Sequence, residues 1–127
     1  MLNRAIIVQC DEVLPQMIDV IRESLQVDAV LSCDKVKEAI QLIKEKSGST
    51  VVLFDINLPV DHECLFFNEI DKLDQYLKDQ LKVIITTDRG NAERLKSLPI
   101  HETVLGVLPV PFTTDELVTI LGLDQES

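Results

Sequence analysis

Tryptophan is absent from this chain, tyrosine occurs once, and aromatic residues make up only 4% of its 127 positions. So few aromatic faces exclude the stacking platforms on which single-stranded nucleic acids are held. Positive charge is scarce as well: 12 Lys and Arg stand against 22 Asp and Glu, a formal charge of −10. That balance repels phosphate backbones and anionic lipid headgroups, so neither nucleic acid nor a membrane is an expected partner. The three cysteines, Cys10, Cys33 and Cys64, are an odd number without CxxC spacing, which reads as reduced thiols in a cytoplasmic protein. No apolar run approaches the ~18 residues needed to span a bilayer. The start, Met1 to Ala5, lacks the basic region and long apolar stretch of a secretion signal. No Walker or GxGxxG motif is present.

What is present is a 46% hydrophobic chain, too apolar for disorder and of a length that suits one domain with one core. Residues 1–123 are expected to form it, with 124–127 a frayed end or the start of a linker. Short aliphatic runs read as strands buried on both faces: Ala5–Val8, Ala29–Leu31, Val51–Phe54, Val83–Ile85 and Val104–Leu108. Between them run stripes at helical spacing: Leu14, Met17, Ile18, Ile21 and Leu25; Val36, Ala39, Ile40 and Ile43; Phe66, Ile70, Leu73 and Leu77. A shorter helix is expected over Ala92–Leu98, stopped by Pro99. The last helix opens at Thr113 or Thr114, where Thr113 and Glu116 have the spacing of a capping box, and buries Leu117, Ile120 and Leu121. Ser47-Gly48-Ser49 marks a turn.

Strict alternation of five strands and helices implies an α/β fold: a five-stranded parallel sheet, doubly wound, with helices on both faces. In such folds functional residues gather at the carboxyl ends of the strands. There the sequence places Cys10-Asp11-Glu12, then Asp55 to Pro59, then Thr86-Thr87-Asp88-Arg89, then Pro109-Val110-Pro111-Phe112. Asp11 and Asp55 face one crevice, and two close carboxylates repel unless a cation sits between them; hard oxygen ligands favour Mg²⁺. Thr87 adds a hydroxyl able to donate to an anionic oxygen. Together these groups could support phosphoryl transfer onto a carboxylate.

In this combination the chain resembles the receiver domain of two-component response regulators over essentially its whole length. The residues that carry the resemblance are the acidic end of the first strand, Asp55 followed by Leu58-Pro59, Thr87, and Pro111-Phe112 with Glu116-Leu117 opening the last helix. The resemblance implies the flavodoxin-like receiver fold, Asp55 as phosphoacceptor, and Mg²⁺ held by Asp11, Asp55 and the Asn57 carbonyl. It also implies Thr87 as the switch hydroxyl and a histidine kinase or other signalling protein as partner. The face made by the helix over 92–98, the fifth strand and the last helix is where receivers dimerise or meet partners. Leu95, Leu98, Ile100, Val104 and Val118 are the apolar residues available there.

The chain departs from the receiver pattern at four positions. Cys10 replaces an acid, Val110 replaces the Lys before Pro-Phe, Asp88 stands where a small residue is usual, and Val107 replaces the switching aromatic. Arg89 is the candidate for a substitute phosphate contact; its alternative is a solvated loop arginine. Glu12 is either an outer metal ligand or ordinary surface, and Cys10 either a redox thiol or a small filler beside carboxylates that disfavour its thiolate. His62, flanked by Asp61 and Glu63, reads as part of a solvated loop, and His101 as surface. Three functions follow: a receiver-like signalling domain with weak or no phosphorylation that works by association; a conventional receiver phosphorylated on Asp55; or, from another class, a small flavin- or nucleotide-binding protein. The last lacks a phosphate-cradling loop after the first strand. None of the three leading groups, Asp11, Asp55 or Thr87, makes the chain an enzyme that turns over a small substrate.

Overall fold

The computed structural model describes residues 4–8, 15–25, 27, 29–45, 49–55, 60–88, 103–110 and 112–121; for 15–17, 60–63, 88, 109 and 110 only the backbone is described. Among the described residues ten elements follow in chain order: β1 (Arg4–Val8), α1 (Pro15–Leu25), β2 (Ala29–Cys33), α2 (Val36–Glu45), β3 (Thr50–Asp55), α3 (Val60–Asp71), α4 (Gln75–Asp79), β4 (Leu81–Asp88), β5 (Val104–Val110) and α5 (Thr114–Leu121). The five strands form one sheet in the order β2-β1-β3-β4-β5, and every neighbouring pair is parallel. The order changes direction between β1 and β3, which opens a crevice above their carboxyl ends.

Alternation along the strands divides the core into two layers. Ile6, Val8, Val52, Phe54, Val83 and Ile85 face α2 and α3, where they meet Val36, Ala39, Ile40, Ile43, Phe66, Phe67 and Ile70. Ala5, Ile7, Val51, Leu53, Ile84 and Leu108 face α1 and α5, against Ile21, Leu25, Leu117 and Leu121. Strands apolar at every position are thus consumed by helices on both sides, as expected of a covered parallel sheet.

α3, α4, β4 and β5 differ from the sequence expectation. The stripe from Phe66 to Leu77 is broken: α3 ends at Asp71, and Asp74 starts α4 by accepting a hydrogen bond from the Leu77 N–H at 3.1 Å. Aspartate favours such a cap over a helix interior, so it divides a stripe whose spacing continues. His62 lies in α3, which begins at Val60, rather than in a loop. β4 and β5 run to Asp88 and Val110, beyond the aliphatic runs that mark them. Within β5, Val83 pairs with Val104 but Ile84 pairs with Gly106, so Leu105 is the extra residue of a bulge and stands 43% exposed. The bulge lets Val104 and Val107 both face the α2–α3 layer while Gly106 faces α5. A Cβ on Gly106 would lie 2.9 Å from Ile120 Cδ1, the end of a side chain that would have to turn aside to admit it. α5 itself is capped as its spacing predicts: the Glu116 N–H donates to Thr113 Oγ1 at 3.2 Å, and the Thr113 N–H donates to Glu116 Oε1 at 3.1 Å.

The expected turn at Ser47-Gly48, the helix over 92–98 and the end at 124–127 lie outside the described residues. Among the described residues no helix is long and apolar enough to cross a membrane.

Candidate functional site

All five strands run the same way, so Cys33, Val8, Asp55, Asp88 and Val110 are the last residues at one edge of the sheet. Asp55 ends β3 and is half-buried. The residue before it is anchored hard. Phe54 is fully buried, its ring stacks on Phe66 at 4.7 Å with an interplanar angle of 27°, and Phe67 meets Phe66 edge-on at 5.3 Å. Three aromatic rings therefore hold the end of β3 onto α3 directly beneath Asp55.

The β3–β4 register sets the neighbours of Asp55. Its ladder partner is Thr86, with Phe54 opposite Ile85. Thr87 lies one position further along β4, opposite Pro109, and is 3% exposed. The pleat puts Asp55 and Thr86 on the side of Leu53 and Ile84, and Thr87 on the side of Val83 and Ile85. Thr86 is also buried, and its hydroxyl donates to the Phe54 carbonyl at 3.4 Å. The sequence motif points to Thr87; the register shows that Thr86 is the threonine level with Asp55.

On β5, Val110 is the register partner of Asp88. Valine is a residue type with neither charge nor donor. Asp11, Asn57 and Arg89 lie outside the described residues, as do Cys10 and Glu12. Among the described residues no group of three or more His, Cys, Asp and Glu side chains could hold a metal ion.

Cys33 closes β2 at the same edge. Burial, then the charges of Glu38 and Asp34, push its thiol up to about 11, partly offset by a hydrogen bond from the Lys35 backbone. A thiol held protonated in this way is a packing group. Cys64, on α3, is exposed.

The opposite edge is built differently. Arg4 opens β1 and is only 6% exposed. Its Nε donates to Thr50 Oγ1 at 3.0 Å, and its two terminal nitrogens donate to the carbonyls of Leu42 and Ile43 in the last turn of α2. Burial lowers its pKa and the Glu45 charge opposes that. The guanidinium stays charged in any case, and it satisfies carbonyls that α2 leaves open.

No protein-family model and no curated protein sequence matches the chain. Solved structures do. A response regulator receiver protein from Dyadobacter fermentans superposes with a TM-score of 0.74 at 15% identity, covering 98% of each chain. A two-component response regulator from Cytophaga hutchinsonii gives 0.71 at 16% identity, over 99% of this chain and 98% of that one. The receiver domain of a sensor histidine kinase from Pseudomonas aeruginosa, described with a magnesium ion coordinated in its active-site cleft, gives 0.66 at 20% identity over 97% of both. From end to end, the chain has the fold of the response-regulator receiver domains.

Proposed function

We propose that this chain is a regulatory receiver domain whose phosphoacceptor site is degenerate, and that it signals through association with a protein partner rather than by turning over a small substrate. The observation that carries the reading is the end of the β4–β5 ladder, where Val110 is paired with Asp88. A receiver needs a cation near this point to pair with phosphoryl oxygens. Here an acid and an aliphatic residue share the position instead. By residue type, an acid at 88 would repel an incoming dianion and a valine at 110 would offer it no donor.

The donor set still suits Mg²⁺. The Asp55 carboxylate is half-buried, and so within reach of an ion from solvent, and Asp11 and the Asn57 main-chain carbonyl are the further hard oxygens of the sequence. Bound there, the ion would neutralise carboxylate charge. Cys10 in place of an acid removes one charged ligand and weakens the hold. Arg89 is the side chain available to supply positive charge. Within the chain itself, Phe54 and its aromatic neighbours orient Asp55, and Thr87 offers the hydroxyl on the adjoining strand. A partner would meet β5 and α5, where Leu105 is exposed and Val104 and Val118 are half-buried. A histidine kinase or another signalling protein fits this role, or a second copy of the chain.

A conventional receiver is the second reading, favoured by the retention of Asp55 at the end of β3 with Thr86 and Thr87 on the neighbouring strand. Incubation with acetyl phosphate and Mg²⁺, read by intact mass with Asp55→Asn as control, separates the two. The degenerate site predicts little or no phosphoryl adduct. A stoichiometric adduct that vanishes in Asp55→Asn would establish the conventional receiver.

A further inference from the structure

We infer that Thr86, not only Thr87, belongs to the Asp55 site, as the residue that positions the acid; the inference rests on the receiver reading for its purpose, though its geometry stands independently of phosphoryl chemistry. Asp55 is the last residue of β3 and has only one neighbouring position on β4 at its own level, which Thr86 occupies. Ladder partners in a parallel sheet sit about 4.8 Å apart and project to the same face, so the Thr86 side chain rises beside that of Asp55. Thr87 stands one level higher and on the other face.

The Thr86 hydroxyl donates to the carbonyl of Phe54, the residue that immediately precedes Asp55. Donor and acceptor are both buried, a setting in which even a long hydrogen bond is strengthened by the low local dielectric. The bond therefore acts on the peptide unit from which Asp55 projects. From below, Phe66 and Phe67 fix the Phe54 ring; from the side, Thr86 fixes the Phe54 carbonyl. Between them they fix the backbone from which Asp55 projects. An aliphatic residue would satisfy the packing requirement of this position equally well, since Ile84 and Leu108 on the same face are aliphatic. The hydroxyl is the part that packing does not require.

Valine has nearly the shape of threonine and is a strong strand former, so Thr86→Val replaces the hydroxyl by a methyl group with little change of backbone preference. The test uses the full chain without metal or phosphoryl donor, and reads the Asp55 carboxyl-carbon and amide resonances by NMR alongside the melting temperature. Thr86→Val is expected to shift or double the Asp55 resonances with little change in melting temperature, and Thr86→Ser restores the single wild-type set. Thr86→Ala gives the same comparison if the valine variant folds poorly. Asp55 resonances that are unchanged in Thr86→Val, or not restored by serine, would overturn the inference. Because no phosphoryl group is involved, this result is separable from the acetyl phosphate experiment: either can fail while the other stands.

Discussion

The two edges of the sheet treat charge in opposite ways. At the amino edge Arg4 is buried, and the surroundings are built to satisfy it: the Thr50 hydroxyl and two α2 carbonyls accept from it. At the carboxyl edge, among the described residues, the acids Asp55 and Asp88 end β3 and β4, and the β5 position beside Asp88 is Val110. The amino edge is closed electrostatically from within. On the proposed function, the carboxyl edge is where the charge of an ion or a partner would be met. A fold gains stability from the first arrangement and loses some by the second, which is the usual mark of a surface kept for function.

The largest effect that could break this contrast is on stability. Arg4→Met should cost about 2–4 kcal/mol in urea unfolding, because the Thr50 hydroxyl and the Leu42 and Ile43 carbonyls lose their buried donor. Asp55→Asn should lie within about 1 kcal/mol of the parent chain, on either side, since it removes a charge from a half-buried edge. Equal costs for the two substitutions would erase the distinction. Next comes function. Val110→Lys should raise phosphoryl uptake from acetyl phosphate about ten- to a hundred-fold, the worth of one hydrogen bond to a charged group. Uptake no greater than in the parent chain would mean that the missing cation is not what disables the site.

Smaller is the effect of Cys33. Its ordinary pKa of 9.0 is raised to about 11 on folding. Below pH 9 both states keep the proton and the thiol leaves stability unaffected by pH. Between pH 9 and 11 the unfolded chain releases it while the folded chain does not, so stability falls as pH rises. Cys33→Ala should flatten that part of the stability profile. In peptide-resolved alkylation at pH 8, Cys64 should react before Cys33, being exposed where Cys33 is buried. The reverse order would show that the edge near β2 opens.

Much of the fold is legible in the sequence because its strands are apolar on both faces and its helices carry clean stripes; Val36, Ala39, Ile40 and Ile43 are all buried as their spacing predicts. The capping box at Thr113 is legible for a local reason, both partners being three residues apart. Features set by partners distant in sequence are not. Arg4 reads as an ordinary charged terminus, since arginine is seldom buried, and its acceptors lie 38 to 46 residues away. The Leu105 bulge depends on where β4 sits, and it changes which face each later residue of β5 occupies. Of the candidate site, the sequence motif points to Asp55 and Thr87 as residue types at strand ends. Its register is not legible, and that is why Thr86 escapes notice until β3 and β4 are aligned.

The central claim is that the carboxyl edge no longer captures a phosphoryl group effectively. Calorimetric titration of the intact chain with beryllofluoride in millimolar Mg²⁺ tests it most directly, because the probe mimics the phosphoryl group without depending on a donor's kinetics. The account predicts no saturable binding to the parent chain. Tight, stoichiometric binding that is lost in Asp55→Asn would contradict it.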